Sequence, residues 1–115
     1  MNNNINAKEL RVGNLICCAK QIKECDIDDI FYISKSYNVY EPIRLTSSWF
    51  LRFGLNTNDG IIFEKVRDSN FFVKLLEPDS HFIVFWKSSR LIKPIFVHQF
   101  QNLYFALTGN ELTLL

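Results

Sequence analysis

The stretch VHQFQNLYFALTGNEL, from Val97 to Leu112, decides the reading of the chain. Phe96, Phe100, Leu103, Tyr104 and Leu107 recur at steps of three and four residues, the spacing that stacks side chains on one face of a helix. Gln99, Gln101 and Asn102 lie largely off that stripe. Pro94 stands just upstream, where it suits a helix start, and Gly109 supplies a left-handed stop. A helix with one aromatic stripe needs a partner surface, and burying five such side chains is worth roughly 1.5–3 kcal/mol each before entropy. The stretch is therefore read as the cover of a core, with a sheet beneath it.

The partner sheet is expected upstream. IIFEKV (61–66), FFVKLL (71–76) and HFIVFW (81–86) are strand candidates, separated by RDSN (67–70) and EPDS (77–80) as turns and preceded by the hairpin-grade NTNDG (56–60). HFIVFW is apolar on both faces, which predicts a strand with neighbours on each side. In YEPIRLTSSWFLRFGL (Tyr40 to Leu55), Pro42 interrupts any strand and Thr46 or Ser47 caps a short helix. Trp49, Phe50 and Phe53 recur on its face and Gly54 ends it. Gly13-Asn14 predicts a turn, followed by a strand over Leu15 to Ala19. QIKECDID (21–28) reads as a second strand, with Glu24, Asp26 and Asp28 on one face and Cys25 and Ile27 on the other. IFYISK (30–35) reads as a third, ELTLL (111–115) as a terminal strand, and Met1 to Ala7 as a frayed end. The expectation is one domain over residues 1–115 in the α+β class. It is a twisted, mainly antiparallel sheet of about five to seven strands with two short helices. The C-terminal helix packs on that sheet, and the first half curls into a barrel-like unit.

Composition narrows the function classes. Hydrophobic residues make up 48% of the 115, including eleven Phe, which argues against disorder. Thirteen Lys and Arg against twelve Asp and Glu give a net charge of +1, too balanced for a surface given over wholly to nucleic acid. The three cysteines, Cys17, Cys18 and Cys25, form no disulfide framework and fit a reducing compartment. The polar start and the lack of a long apolar run predict a cytoplasmic protein with no membrane segment.

Chemistry-bearing patterns are sparse. The cysteines lack Cys-x-x-Cys spacing and His81 and His98 are far apart, so no metal or other cofactor is expected. Cys25 has no neighbour that would activate a thiol. No phosphate loop, glycine fingerprint or nucleophile elbow occurs, and no catalytic residue is assigned. His98, in the first turn of the last helix, reads as a neutral imidazole making a local hydrogen bond. Two charge features remain. ECDIDD holds an acidic strip of Glu24, Asp26, Asp28 and Asp29, which suits a basic groove if it is more than a solvated face. WKSSRLIK sets Lys87, Arg90 and Lys93 beside Trp86, a small phosphate- or partner-contacting patch with a stacking aromatic. Arg44, Arg52 and Arg67 are candidates to join either surface, and the basic patch is the favoured one.

Three stretches, ELRVGN (Glu9 to Asn14), YEPIRLTSSWFLRFGL and VHQFQNLYFALTGNEL, resemble in order and spacing a family of small uncharacterised proteins of Bacteroidetes phages, prophages and mobile elements. In that family the middle segment runs closer to Pro-Ile-Pro-Leu-Thr with an acidic pair after it; here Arg44 stands for the proline and Ser47-Ser48 for the acids. The resemblance implies a mobile-element setting and no particular activity. The resulting expectation is a non-enzymatic protein acting stoichiometrically on a host protein or ribonucleoprotein. An inhibitor of a defence nuclease, including an RNA-guided CRISPR-Cas nuclease, is its sharpest form. The alternative is a small RNA-, DNA- or nucleotide-binding accessory protein. A small hydrolase or transferase is the third class and the least supported.

Overall fold

A computed structural model describes residues 5–65, 68–77, 81–87, 89–90 and 93–115, with backbone alone at 68, 69, 77 and 90. The chain is α+β, but its strands form two antiparallel sheets rather than one. The first has the order β2-β1-β3, from β1 (Leu15–Cys18), β2 (Gln21–Glu24) and β3 (Tyr40–Glu41). The second runs β4-β5-β6-β7, from β4 (Ile62–Lys65), β5 (Asp68–Glu77), β6 (His81–Trp86) and β7 (Ser89–Arg90). Among the described residues three α-helices accompany them, where two were expected: α1 (Ile27–Ser34), α2 (Ser47–Arg52) and α3 (Val97–Thr108).

The additional helix is the largest departure from the sequence reading. Asp26 sits at its N-cap and accepts from the Asp29 N–H at 2.8 Å, while Asp29 accepts from the Asp26 N–H at 2.9 Å. This reciprocal box satisfies two of the backbone donors that a helix start leaves free. Ile30 and Ile33, three apart, then turn inward. QIKECDID therefore stops being a strand at Glu24, and IFYISK is helical rather than extended. Among the described residues the first half holds no barrel; α1 and a 3-10 turn at Ala7–Glu9 pack beside a three-stranded sheet. The β1–β2 hairpin turns at Ala19 and Lys20, both with positive φ (50° and 67°), so the strand ends one residue earlier than expected.

β1 divides two cores because successive side chains on a strand point to opposite faces. Leu15 joins the main core with Phe50, Phe53, Phe71, Phe82 and Phe100. Ile16 joins a smaller one with Leu10, Cys25 and Ile33. β6 lies between β5 and β7, and Phe82, Ile83 and Val84 are all buried, as its two-sided apolar pattern requires. β5 begins at Asp68, inside the segment expected to be a turn.

α3 covers the main core as its stripe predicts. Phe100 is fully buried between Phe50 and Phe71, while Leu103 and Leu107 are half-buried at the margin. Gly109 has φ +76° and its N–H closes the helix on the Phe105 carbonyl at 2.8 Å. ELTLL adds no strand; Leu112 is buried, and the Leu115 N–H reaches the Arg52 carbonyl at 2.9 Å. At the other end, Ile5 and Ala7 pack on the smaller core and Asn6 caps the 3-10 turn; residues 1–4 of the stretch expected to fray lie outside the described residues.

Candidate functional site

The acidic strip is not a single strand face: Glu24 ends β2, Asp26 caps α1, and Asp28 and Asp29 stand in the first turn of that helix. Asp29 turns inward and is buried, where Lys23 Nζ meets its Oδ2 at 2.8 Å and the Tyr40 hydroxyl donates to its Oδ1 at 2.8 Å. Burial opposes the charged carboxylate. The Lys23 ammonium, the Asp26 N–H and the Tyr40 hydroxyl outweigh it and hold the Asp29 pKa down to about 2. Burial, then Asp29 as acceptor, pushes the Tyr40 hydroxyl upward. Glu24, Asp26 and Asp28 remain exposed, and among the described residues neither Glu24 nor Asp28 takes part in an ion pair. Three of the four acids thus face solvent from the β2–α1 corner, and the fourth is structural.

The C-terminal half of α1 and the turn after it carry a surface that the sequence reading missed. Phe31, Tyr32 and Tyr37 are 55%, 40% and 56% exposed. Their rings form a continuous strip: Phe31 meets Tyr32 edge-on at 5.8 Å, and Tyr32 stacks on Tyr37 at 5.2 Å. Ile27 is exposed one turn before Phe31 on the same helix face, and Lys35 Nζ lies 5.4 Å from the Phe31 ring. Rings in mutual contact yet open to water leave apolar area unburied, the usual mark of an interaction site. The signal in the sequence is the step of four from Ile27 to Phe31, which an extended reading of the segment conceals.

The basic patch is assembled only in part. Trp86 ends β6 and is half-buried against the main core. Lys87 has φ +50°, donates its N–H to the Asn70 carbonyl at 2.8 Å, and carries its Nζ 5.5 Å from the Trp86 ring. Arg90 pairs with Phe85 through the backbone, and its side chain lies outside the described residues, as does Arg67. Lys93 is exposed on the rim of a shallow concavity of about 450 Å³ with Pro94, Ile95 and Leu103, a wall that does not include Trp86. Arg52 stacks on Trp49 at 4.1 Å, and Arg44 bridges to Phe96 through the backbone.

The polar face of α3 is engaged with the N-terminal segment. Gln101 is buried, and its Oε1 accepts from the Leu15 N–H at 2.8 Å. Asn102 Oδ1 accepts from Arg11 Nε and Asn14 Nδ2, both at 2.8 Å, and its Nδ2 donates to the Glu9 carbonyl at 2.7 Å. Arg11 continues to Glu111 in a two-point pair of 2.8 and 3.1 Å and lies 4.2 Å over the Phe105 ring. His98 is buried and bonds Glu9 Oε1 through Nε2 at 2.9 Å, a partner 89 residues away rather than a local one. The middle segment joins the same body, since the Val97 N–H reaches the Ile43 carbonyl at 2.8 Å. The stretches 9–14, 40–55 and 97–112 therefore meet in one hydrogen-bonded unit.

Cys17 and Cys18 are half-buried thiols. Cys25 is buried, and its Sγ donates to the Arg11 carbonyl at 3.0 Å. Burial raises the pKa of the Cys25 thiol, which disfavours the reactive thiolate. Among the described residues no group of three His, Cys, Asp or Glu is placed to hold a metal, and no helix is long and apolar enough to cross a membrane. No family model, curated protein or solved structure matches this chain.

Proposed function

We propose that the protein works by binding, as a non-enzymatic partner that engages a host macromolecule at a fixed molar ratio. The observation that carries this reading is the exposed aromatic strip of Phe31, Tyr32 and Tyr37. Tyrosine and other large aromatics dominate binding energy at protein interfaces when a partner desolvates them. The mobile-element setting implied by the resemblance makes a host defence factor, including an RNA-guided nuclease, the natural class of target.

A second reading keeps the basic patch as the site and nucleic acid as the ligand. It is favoured by the Lys87 ammonium over the Trp86 ring, with Lys93 exposed farther along the chain. The α1 strip is preferred because Trp86 already packs on the core and has less surface to give a partner.

The two readings separate in one experiment: affinity capture from bacterial host lysate, with and without nuclease treatment, followed by native mass measurement of what is retained. A protein complex of fixed ratio that survives nuclease supports the first reading. Retained material that vanishes with nuclease supports the second.

A further inference from the structure

We infer that a cavity of about 420 Å³ between β1, α3 and the C-terminal segment binds a small apolar amine whose ammonium stands beside a carbonyl, as in an α-amino amide. Much of its wall is apolar: Leu15, Phe53 and Leu112 line it and are otherwise buried. A polar group stands among them. Gln101 is 4% exposed, and its Oε1 is committed to the Leu15 N–H at 2.8 Å. That bond fixes which end of the carboxamide faces where, because an N–H needs the oxygen to accept it. Among the described residues no group accepts from Gln101 Nε2. Among them the side-chain atom sealed from solvent without a partner is His98 Nδ1, so the Gln101 amide nitrogen opens into the cavity that Gln101 lines.

A carboxylate completes the lining. Glu24 stands opposite Leu15 in the β1–β2 register, so the two side chains share one face of the first sheet, the face of the main core rather than of α1. Among the described residues Glu24 takes part in no ion pair. The cations that touch the lining are already committed. Arg11 holds Glu111 at two points, and Lys65 Nζ donates to the Phe53 carbonyl at 3.0 Å. The cavity therefore offers a buried N–H donor, an unpaired anion at its rim and an apolar wall. An anionic ligand would set like charge against Glu24. A wholly apolar one would leave Gln101 Nε2 without an acceptor. An α-amino amide with an aliphatic side chain answers all three: its carbonyl accepts from Gln101, its ammonium pairs with Glu24, and its side chain covers the apolar wall.

The test titrates L-leucinamide into the isotope-labelled full chain and follows the Gln101 side-chain amide and the Leu15 backbone N–H by NMR. N-acetyl-leucine has the same side chain without the ammonium, and leucyl-glycyl-glycinamide has the same ammonium on a longer chain. Two exposed positions supply the variants: Glu24→Gln removes the charge, and Thr113→Trp fills the mouth of the cavity. Circular dichroism checks that both are folded. The expected result is a saturable shift of both resonances with leucinamide and none with N-acetyl-leucine. The affinity should fall about fivefold in Glu24→Gln, and binding should be lost in Thr113→Trp. Saturation by the tripeptide amide as well assigns the cavity to the first residue of a peptide, and saturation by leucinamide alone assigns it to a free amine. A Gln101 amide that leucinamide does not shift overturns the inference. So does an equal response to N-acetyl-leucine, or an affinity unchanged in either variant.

Discussion

Phe50 and Phe100 meet edge to face, 5.0 Å between ring centroids at 69°, and join α2 to α3 in the middle of the main core. Phe50 also packs on Phe63 and Phe82 of the second sheet, at 5.2 and 4.8 Å, so this contact ties both helices to the strands. Phe100→Ala should therefore cost about 3–5 kcal/mol, the lost transfer energy plus a cavity that rigid neighbours do not fill. Urea unfolding checks it: the midpoint falls sharply if α3 is core, and an unchanged midpoint contradicts the packing.

Asp29 predicts a pH effect with a definite sign. Its pKa is lowered to about 2 in the folded chain. The stability it contributes is thus fully present above the ordinary aspartate range near 4, and is lost as pH falls toward about 2. The size is on the order of 2 kcal/mol. Asp29→Asn should remove that part of the acid limb and weaken the capping box, and thermal melts from neutral pH down to about 2 compare the two proteins.

The thiols predict an absence of response. Cys25 is buried and hydrogen-bonded, and Cys17 and Cys18 follow one another on β1, where side chains alternate faces. Chelator and mild reductant should each leave the melting temperature unchanged. A large drop with either would reveal a metal or a disulfide.

How much of this is legible in the chain depends on where each residue finds its partner. α3 is readable because its stripe is a local, 3.6-residue pattern with Gly109 at the end, and α2 for the same reason. β6 announces itself by apolar residues on both faces. α1 escapes a local reading, because Ile30, Phe31, Tyr32 and Ile33 carry strand-like composition. The cap that overrides it is Asp26 with Asp29, which in sequence look like alternating surface acids. The burial of Gln101 and His98 is out of reach for another reason: their partners, Leu15 and Glu9, lie 86 and 89 residues away. The division into two sheets likewise depends on long-range pairing that no local pattern encodes. Of the aromatic strip, Phe31 and Tyr32 look like core in sequence, because the segment that carries them reads as a strand.

The surfaces predict an order of mutational effects. Phe31→Ser with Tyr37→Ser should weaken partner binding by at least about tenfold, because exposed rings are anchors once desolvated. The fold should be retained, since neither ring belongs to a core. Reversing Lys87, Arg90 and Lys93 to Glu should have a smaller effect, mainly on association rate. Calorimetric titration of the partner with each variant compares them, and the opposite order would move the site to the basic patch.

A protein that works by binding acts by occupancy, and its effect scales with the number of copies bound. The most direct measurement titrates it into a fixed amount of its purified target while the target's activity is followed. Activity should fall linearly and end at a fixed molar ratio, with the Phe31 and Tyr37 variant requiring a large excess. Complete loss of target activity at a small fraction of that ratio, with the target chemically altered, would contradict action by occupancy.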